Sequence, residues 1–415
     1  MRTLAQWLDF IERQHPKTIA LGLERVRAVL ERMQVRIQAP VITVGGTNGK
    51  GSCCALLEAM LRAGGYRTGL YTSPHLARYN ERVRIGGVEA SDELLCASFE
   101  AVEAARGDIA LTYFEYGTLG ALWIFARESI EAVVLEVGLG GRLDAVNVID
   151  ADCAVLTSVG IDHVDYLGPD RESIGREKAG IFRAGRPAVI AEPQPPQSVL
   201  AAAGVHHLLG RDFGYVDQQS QWSYWGPAGK RGGLAHPALR GAMQLRNSSA
   251  AMCALDCLRE RLPLSMQDIR RGLAEVELAA RFQVLPGKPQ VILDVAHNPQ
   301  AAQVLADNLA SSGFAPDTIG VCGMLRDKDI GGVLRALEPR ITRWHLASLG
   351  GARGASADEL AQHVGADARR FDSPAEAFAA ALSGAGENDK IVVFGSFLTV
   401  GEVLGWLKNN KTSKR

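Results

Sequence analysis

The chain alternates short runs of β-branched and apolar residues with longer segments of helical periodicity. Because strands that are apolar along their whole length are buried on both faces, this alternation predicts a mostly parallel sheet covered by helices on either side. In the first half of the chain, the predicted strands are Val41–Val44, Gly69–Thr72, Ala132–Val137, Ala154–Val159 and Ala188–Ala191. The helical patterns between and after them cover residues 52–62, 92–106, 116–127, 248–261 and 266–275.

A second series of the same kind begins near residue 290. Its predicted strands are Val291–Asp294, Ile319–Cys322, Trp344–Leu346 and Ile391–Phe394. Residues 193–237 are expected to form loops with a few antiparallel strands, and the stretch Pro286–Pro289 is the expected linker. With 415 residues, the chain is also long for a single domain. The sequence therefore predicts two α/β domains with a cleft between them, one over residues 1–285 and a smaller, Rossmann-like one over residues 286–415.

Charge and cysteine content exclude several classes of protein. The net charge of −1 provides no basic surface for nucleic acid. The seven cysteines include no CxxC pair, so a reducing compartment fits better than a disulfide framework or a thiolate zinc site. Cys253 and Cys257, one helical turn apart, are interpreted as core residues.

The N-terminus and the apolar runs give no sign of a membrane or secretory protein. Asp9 and Glu12 interrupt the apolar pattern of the N-terminal segment, which predicts an amphipathic helix ending at His15–Pro16. No uncharged apolar run is long enough to span a bilayer. We therefore expect a soluble, cytoplasmic protein.

Between the first predicted strand and the next helix lies the glycine-rich loop GGTNGKGS, residues 45–52. It departs from the common phosphate-loop pattern G-x-x-x-x-G-K-[ST], because Gly51 separates Lys50 from Ser52. At this point of a sheet, however, backbone N–H groups and a helix N-terminus face a bound anion. A glycine-rich connection without function is the alternative. We interpret the loop as a nucleoside triphosphate site, with contacts from Thr47, Asn48, Gly49, Lys50, Gly51 and Ser52.

Three polar residues at strand ends are candidates for the same edge of the sheet. Glu136 belongs to the end of an apolar strand, and Ser73 and His163 follow two others. Loops at the carboxyl ends of parallel strands line the binding crevice of such folds, and a carboxylate there typically holds Mg²⁺ in phosphate-loop enzymes. On the pattern alone, Ser73 and His163 are more readily interpreted as ordinary polar loop residues.

Lys178 lies between Ile174 and Ile181 on the apolar stripe of a predicted helix. A charged ammonium in that position is costly. Either the side chain extends along the apolar surface to solvent, or the amine is buried with a lowered pKa. The pattern leaves both possibilities open.

The sequence of the glycine-rich loop resembles that of the same loop in folylpolyglutamate synthases. These enzymes are a branch of the Mur-ligase-type family of ATP-dependent amide-forming enzymes. The resemblance extends from the N-terminal third into the second domain, and it is greatest to the bifunctional bacterial members, which also act as dihydrofolate synthases. Six further motifs occur in the order of that family: YTSPHL (71–76), LTYFEYGTL (111–119), LEVGLGGRLDAVN (135–147), DHVDYLG (162–168), REKAGIF (176–182) and DVAHNP (294–299).

The resemblance implies a phosphate-loop NTPase fold for the first domain and a set of cofactors. These are ATP, two magnesium ions, a CO₂-derived carbamate on Lys178 and a monovalent cation such as K⁺. The carbamate would replace a cation with an anion that orients magnesium. The implied magnesium ligands are Ser73, Glu136 and His163.

Further site residues follow from the same resemblance. Asn247, Arg281 and Asp294 are expected to contact ATP, and His297 is expected to be catalytic beside Lys50 and Lys178. On the pattern alone, Asn247 is a helix N-cap and His297 a loop residue that caps the next helix. The segment MLRDKD, residues 324–329, is a candidate for the amino-acid site by resemblance alone.

The implied pterin pocket consists of Thr18, Ile19, Ala20, Leu21, Thr112, Tyr113, Phe114, Glu115, Leu143, Asp144 and Ala145. Of these, Tyr113 and Phe114 could equally be core aromatics.

The implied reaction is ATP-dependent addition of L-glutamate to dihydropteroate and of further glutamates to reduced folates, through an acyl phosphate. A monomer that binds only small molecules is expected.

A mono-functional folylpolyglutamate synthase is the main alternative. A cell-wall Mur ligase acting on a UDP-sugar peptide is disfavoured by the GKGS and TSPHL motifs. A regulatory nucleotide switch should carry a guanine-selecting NKxD motif, which the chain lacks, and a purely structural protein leaves the polar residues of the cleft unexplained.

Overall fold

The structure is a computed structural model that describes residues 2–15 and 19–412. The chain divides into two compact units. The first contains the chain up to residue 75, residues 79–238 and residues 245–276, and the second contains residues 76–78, residues 239–244 and the chain from residue 277 onward.

The first unit is built on an eight-stranded sheet. Its strands are β1 (Val41–Gly45), β2 (Thr68–Tyr71), β3 (Val83–Ile85), β4 (Val88–Glu89), β5 (Ala132–Glu136), β6 (Cys153–Leu156), β7 (Ala188–Ile190) and β8 (His206–Leu208). Their order is β4-β3-β2-β5-β1-β6-β7-β8, and every neighbouring pair is parallel except β2–β3 and β3–β4. All five residues of β1 and of β5 are buried, as expected for central strands covered on both faces. The predicted mostly parallel sheet is confirmed.

In the described part of the chain, ten α-helices accompany this sheet. They are α1 (Leu4–Glu12), α2 (Glu24–Met33), α3 (Lys50–Ala63), α4 (Asp92–Arg106), α5 (Tyr113–Arg127), α6 (Val164–Leu167), α7 (Arg171–Ala179), α8 (Gln197–Ala202), α9 (Gln244–Cys257) and α10 (Met266–Glu275). A small antiparallel sheet follows β8, with β9 (Gly214–Asp217), β10 (Trp222–Gly226) and β11 (Gly229–Leu234). The antiparallel strands predicted within residues 193–237 are therefore confirmed.

The second unit has a six-stranded sheet. Its strands are β12 (Gln283–Leu285), β13 (Gln290–Leu293), β14 (Thr318–Cys322), β15 (Arg343–Ala347), β16 (Arg369–Phe371) and β17 (Lys390–Phe394). The order is β12-β13-β17-β14-β15-β16, and every pair except β12–β13 is parallel. The helices are α11 (Pro299–Ser311), α12 (Ile330–Leu337), α13 (Ala357–Ala361), α14 (Pro374–Gly384) and α15 (Phe397–Thr412).

The stretch Pro286–Pro289, which the sequence indicates as a linker, is instead the turn of the β12–β13 hairpin within the second unit. The predicted domain boundary after residue 285 lies in this hairpin. Proline and glycine are typical of hairpin turns and of linkers alike, so the composition of the stretch could not distinguish the two.

The N-terminal helix α1 ends at Glu12, slightly before the predicted end at His15–Pro16, of which Pro16 lies outside the described residues. None of the helices in the described part of the chain combines the length and hydrophobicity needed to span a bilayer.

Candidate functional site

The glycine-rich loop joins the end of β1 at Gly45 to the start of α3 at Lys50. Gly49 precedes the helix with a φ of 89°, a conformation that favours glycine. The ammonium group of Lys50 donates to the carbonyl oxygens of Gly46 and Thr47, over 3.1 and 3.2 Å. The Lys50 charge is thus held at the loop, beside the N-terminus of a 14-residue helix. This arrangement suits the oxygens of a bound phosphate.

Two hydroxyl residues that the sequence analysis did not identify hold this loop in place. Thr157 and Ser158 follow β6, which pairs with β1. Both side chains donate to the carbonyl oxygen of Asn48, over 2.7 and 3.0 Å, and the Ser158 hydroxyl accepts from the Asn48 N–H over 2.9 Å. The sequence signal for these two residues was only that they are polar and lie near the end of an apolar strand. Only the strand order shows that they adjoin the loop.

Gly46 is the position where the loop and this support come closest. Its φ is +147°, and a Cβ atom there would lie 2.0 Å from Thr157 Oγ1 and 3.0 Å from the backbone nitrogen of Ser158. We expect Gly46→Ala to destabilise the protein by about 1–3 kcal/mol and to raise the KM for ATP, because the loop must move away from the β6 side. Thermal unfolding and initial-rate kinetics measure the two effects.

Gly65 offers a matched control for this prediction. It also has a positive φ, +88°, but a Cβ atom there would meet nothing within 4 Å. Gly65→Ala should therefore share the backbone strain and leave the KM for ATP unchanged. Equal effects of the two substitutions on KM would show that the contact with Thr157 does not position the loop.

Glu136, the last residue of β5, lies directly beside the loop strand. It pairs with Val44 of β1, is 4% exposed, and accepts a hydrogen bond from the backbone N–H of Ser73 over 3.2 Å. Burial, together with the Glu136 carboxylate, raises the pKa of Cys53 in the first turn of α3 to about 12. A buried carboxylate of this kind, next to a phosphate-binding loop, has the chemistry that Mg²⁺ requires.

The structure brings two of the three predicted metal ligands, Ser73 and Glu136, into contact. His163 lies in the loop after β6, on the other side of β1, where it adopts a left-handed conformation with a φ of 53°. Within residues 2–15 and 19–412, no group of three or more His, Cys, Asp or Glu side chains is arranged to hold a metal ion. A magnesium ion here would complete its coordination with phosphate oxygens and water, which is common for this ion.

Lys178 is buried, with 5% of its surface exposed, so the structure favours burial of the amine over extension to solvent. It lies on α7 among the apolar side chains of Ile174 and Ala179, which are fully or almost fully buried. Burial, with a further contribution from the Lys50 ammonium, lowers the pKa of Lys178 from an ordinary value of 10.5 to about 7. A large fraction of the amine is therefore neutral, and nucleophilic, near pH 7.

Asp144 is a second buried titratable group near the two lysines. Burial raises its pKa to about 7, while hydrogen bonds from the backbone N–H groups of Leu139 and Val146, over 2.8 and 3.1 Å, act in the opposite direction. The Lys50 ammonium also favours its ionised form. Asp144 and Lys178 interact electrostatically, so the site contains a carboxyl and an amine that both titrate near neutrality.

The three stretches predicted to form the pterin pocket converge in the first unit, apart from Thr18, which lies outside the described residues. The Arg25 guanidinium donates to the Ala20 carbonyl over 2.6 Å and to the Glu115 carboxylate over 2.7 Å. The backbone N–H of Gly22 donates to the Leu143 carbonyl over 3.2 Å. The segments 19–21, 112–115 and 143–145 are thus joined by hydrogen bonds that the sequence could not reveal.

Within this region, two of the predicted residues have a structural role. Thr112 is the N-cap of α5 and forms a capping box with Glu115. The aromatic residues pack as partners of other rings. Phe114 lies on Tyr71 with 5.8 Å between ring centroids, and Tyr113 lies edge-on to Tyr79 at 5.9 Å. Aromatic side chains suit a flat heterocycle, and the role of these residues in substrate binding stays a prediction.

Asn247 lies inside the first turn of α9, which begins at Gln244, and so it is not the N-cap that its sequence position suggested. Its side chain is 2% exposed, and a Cβ atom at Gly49 would be 2.8 Å from its amide oxygen. The sequence placed the helix start too late because Gln244 to Arg246 carry no capping signal. Asn247 does adjoin the phosphate loop, where a contact with nucleotide was predicted.

Arg281, Asp294 and His297 all belong to the second unit. Asp294 is half-buried and accepts from the backbone N–H groups of Phe282 and Ala296, each over 2.8 Å. The Arg281 guanidinium lies 5.3 Å from the centre of the Phe397 ring. Asn298, rather than His297, caps α11. His297 Nδ1 is 2.8 Å from the Val295 carbonyl, which places the proton on Nδ1. The predicted roles of these three residues in ATP binding and catalysis stay predictions.

Comparison with known proteins agrees with this architecture. The Mur ligase middle domain model matches residues 44–207, and the Mur ligase glutamate ligase domain model matches residues 280–397. The chain is 47% identical to the dihydrofolate synthase/folylpolyglutamate synthase of Escherichia coli over 97% of its own length and 94% of that protein.

Solved structures give the same result. Escherichia coli FolC in complex with DHPP and ADP superposes with a TM-score of 0.95 at 45% identity, covering 99% of each chain. A bifunctional folylpolyglutamate synthase/dihydrofolate synthase with Mn, AMPPNP and L-glutamate bound superposes with a TM-score of 0.92 at 46% identity, covering 98% of each chain. The chain therefore belongs to the dihydrofolate synthase/folylpolyglutamate synthase branch of the Mur ligase family, whose members are ATP-dependent amide-forming ligases.

Proposed function

We propose that this protein adds L-glutamate to dihydropteroate, giving dihydrofolate, and to reduced folates, giving polyglutamates, with release of ADP and phosphate. The observation that carries the proposal is the phosphate loop with Lys50 at its end, next to the buried carboxylate of Glu136. Relatives that share about 45% of the sequence over nearly the whole chain bind ADP with DHPP, or AMPPNP with L-glutamate.

The reaction needs a phosphoryl transfer because a carboxylate oxygen is a poor leaving group. Transfer of the ATP γ-phosphoryl group to the substrate carboxylate gives an acyl phosphate. The glutamate amine then attacks the acyl carbon, the C–O bond to phosphate breaks, and phosphate leaves. Since phosphoryl transfer depends mostly on positioning and charge stabilisation, the protein contributes a fixed loop and fixed charges.

Each predicted site residue has a role in this proposal. The Lys50 ammonium and the backbone N–H groups of the loop hold the triphosphate and stabilise charge on the γ-phosphoryl group. A bound Mg²⁺ would neutralise charge on the phosphate oxygens, with Glu136, Ser73 and His163 as its protein ligands. The segments 19–21, 112–115 and 143–145 would hold the pteroyl group against the Tyr113 and Phe114 rings. On the resemblance alone, Arg281 and Asp294 are assigned to ATP binding and His297 to catalysis.

Lys178 is proposed to carry a carbamate. Its burial and its pKa of about 7 support this, because only a neutral amine reacts with CO₂. The reaction forms an N–C bond and releases one proton, and the anion produced would orient magnesium. A bound K⁺ and the monomeric state stay predictions of the resemblance, and the cytoplasmic location stays a prediction from the sequence pattern.

An assay of ADP release tests the proposal. With purified protein, ATP, Mg²⁺ and dihydropteroate, ADP formation should depend on L-glutamate and should match dihydrofolate formation one to one. AMP and pyrophosphate as products would contradict the acyl-phosphate route. Failure to join glutamate to any pteroyl acid would contradict the function.

The mono-functional alternative is decided with the same preparation. A folylpolyglutamate synthase without the first activity would use tetrahydrofolate but not dihydropteroate. We expect both to be used, because the Ile19–Leu21, Thr112–Glu115 and Leu143–Ala145 segments, which distinguish the bifunctional enzymes, lie together in this structure.

A further inference from the structure

Three cysteines and one histidine form a cluster in the first unit, which we name the thiol cluster: Cys153, Cys253, Cys257 and His207. None of these four residues has a role in the proposed reaction. Cys153 begins β6, whereas the phosphate loop adjoins the other end of that strand. The sequence alone indicated only that Cys253 and Cys257 share a helix face.

The sheet register places Cys153 and His207 on the same face. Val155, Val189 and His207 are direct neighbours across β6, β7 and β8, and Cys153 lies two residues before Val155, so its side chain points to the same side of the sheet. Cys253 and Cys257 are one turn apart on α9. An ion pair of 2.6 Å between Arg261 and Asp152 holds the chain after α9 against the start of β6.

Where helix and sheet meet, the Cys257 thiol is the centre of the cluster. It interacts with the thiols of Cys153 and Cys253 and with the His207 ring. Cys153 and Cys253 are fully buried, whereas Cys257 and His207 are half-buried. Cys257 is therefore the cysteine of the cluster that lies nearest to solvent.

We propose that Cys257 is a modification site for peroxides, and that Cys153 converts the first product into an intramolecular disulfide. The interactions with Cys153 and Cys253, with that of His207, lower the pKa of Cys257, although burial acts in the opposite direction. The interaction with Cys257 and burial raise the pKa of Cys153, so this second thiol is protonated before oxidation. The carboxylates that act on the cluster are each paired with arginine: Asp152 with Arg186 and Arg261, Asp256 with Arg231, and Asp212 with Arg211.

The chemistry balances with a peroxide as the oxidant. The Cys257 thiolate attacks one oxygen of hydrogen peroxide, the O–O bond breaks, and hydroxide leaves, which gives a sulfenic acid on Cys257. The Cys153 sulfur then attacks the Cys257 sulfur, the S–S bond forms, and the S–O bond breaks; the departing hydroxide takes up the proton of the Cys153 thiol and leaves as water. Two thiols and one peroxide thus give one disulfide and two waters, and both sulfurs are oxidised.

The first test compares the reactivity of two half-buried cysteines in the native, full-length protein. Among the residues that the structure describes, Cys96 is the other half-buried cysteine, and burial raises its pKa. With limiting iodoacetamide, peptide mapping should show Cys257 alkylated at least about tenfold faster than Cys96. His207→Gln should slow alkylation of Cys257 and leave Cys96 unchanged. Equal rates at the two cysteines would overturn the proposal.

The second test follows oxidation by hydrogen peroxide. The wild-type protein should lose two hydrogens and give a Cys153–Cys257 cross-linked peptide, whereas Cys153→Ser should accumulate a sulfenic acid on Cys257 that dimedone traps. Cys96→Ser should behave as wild type. Absence of both the cross-link and the dimedone adduct would overturn the proposal, and so would a zinc ion bound by the cluster in the purified protein. Because ligase activity is not the readout, these results are independent of the proposed function.

Discussion

Replacing Lys50 by alanine should lower kcat for ADP formation by about 10³-fold, which is typical for the loss of a group that stabilises transferred charge in a closed site. The Lys50 ammonium is fixed at the loop by the carbonyls of Gly46 and Thr47. Initial-rate measurements at saturating ATP separate the loss in kcat from a change in KM. The fold should survive, because the substitution changes one half-buried side chain and leaves the bonds of Thr157 and Ser158 to the loop in place.

A matched lysine is available for this experiment. Lys230 lies exposed on the β11 strand of the small antiparallel sheet, and Lys230→Ala should keep wild-type kinetics. The Lys50 charge also contributes to the lowered pKa of Lys178. We therefore expect the pKa of Lys178 to rise in the Lys50→Ala variant. Retention of more than a tenth of the wild-type kcat would show that Lys50 does not act on the phosphoryl group.

Replacing Lys178 by methionine should lower activity by about 100-fold, the upper range for losing a group that orients a metal ligand. Methionine suits the apolar stripe of α7 and avoids a buried charge, so the variant should fold as well as wild type. Wild-type activity should fall in CO₂-depleted buffer and recover with bicarbonate. The methionine variant should not respond. Native mass spectrometry should detect one bound CO₂ in the wild type only.

Activation of the enzyme by CO₂ should increase as the pH rises. With a pKa of about 7, the Lys178 amine is mostly neutral above pH 7 and mostly protonated below it. Because CO₂ combines with the neutral amine, activation at a fixed concentration of dissolved CO₂ should increase from about pH 6 to about pH 8. Activation that does not change over this interval would exclude Lys178 as the group that binds CO₂.

Lys390 provides the control for burial itself. It is 6% exposed and its pKa is also lowered by burial, but its ammonium donates to Ser312 and Gly313 in the second unit. Lys390→Met should cost stability and leave the response to bicarbonate intact. Full activity in Lys178→Met, with no CO₂ adduct in the wild type, would remove the carbamate from the proposal.

Much of the fold could be predicted from local patterns. The central strands were predicted to within a few residues because a buried strand needs an unbroken apolar run, and the loop was found because glycines and a lysine between strand and helix form an unusual pattern. Edge elements such as β3, β4 and β16 were missed, since short, partly exposed strands carry little apolar signal. The start of α9 was also misplaced for lack of a capping residue.

The sequence by itself determined the alternating architecture, the place of the phosphate loop and the family, because these depend on periodicity along the chain and on the types of residue at fixed spacings. Only the tertiary structure decided that Lys178 is buried, that Thr157 and Ser158 hold the loop, and that Arg25 reaches Glu115 across 90 positions. The physical reason is that burial and contact depend on the strand order and on how helices pack against the sheet. Segments far apart in the chain supply these surroundings, and no local pattern records them.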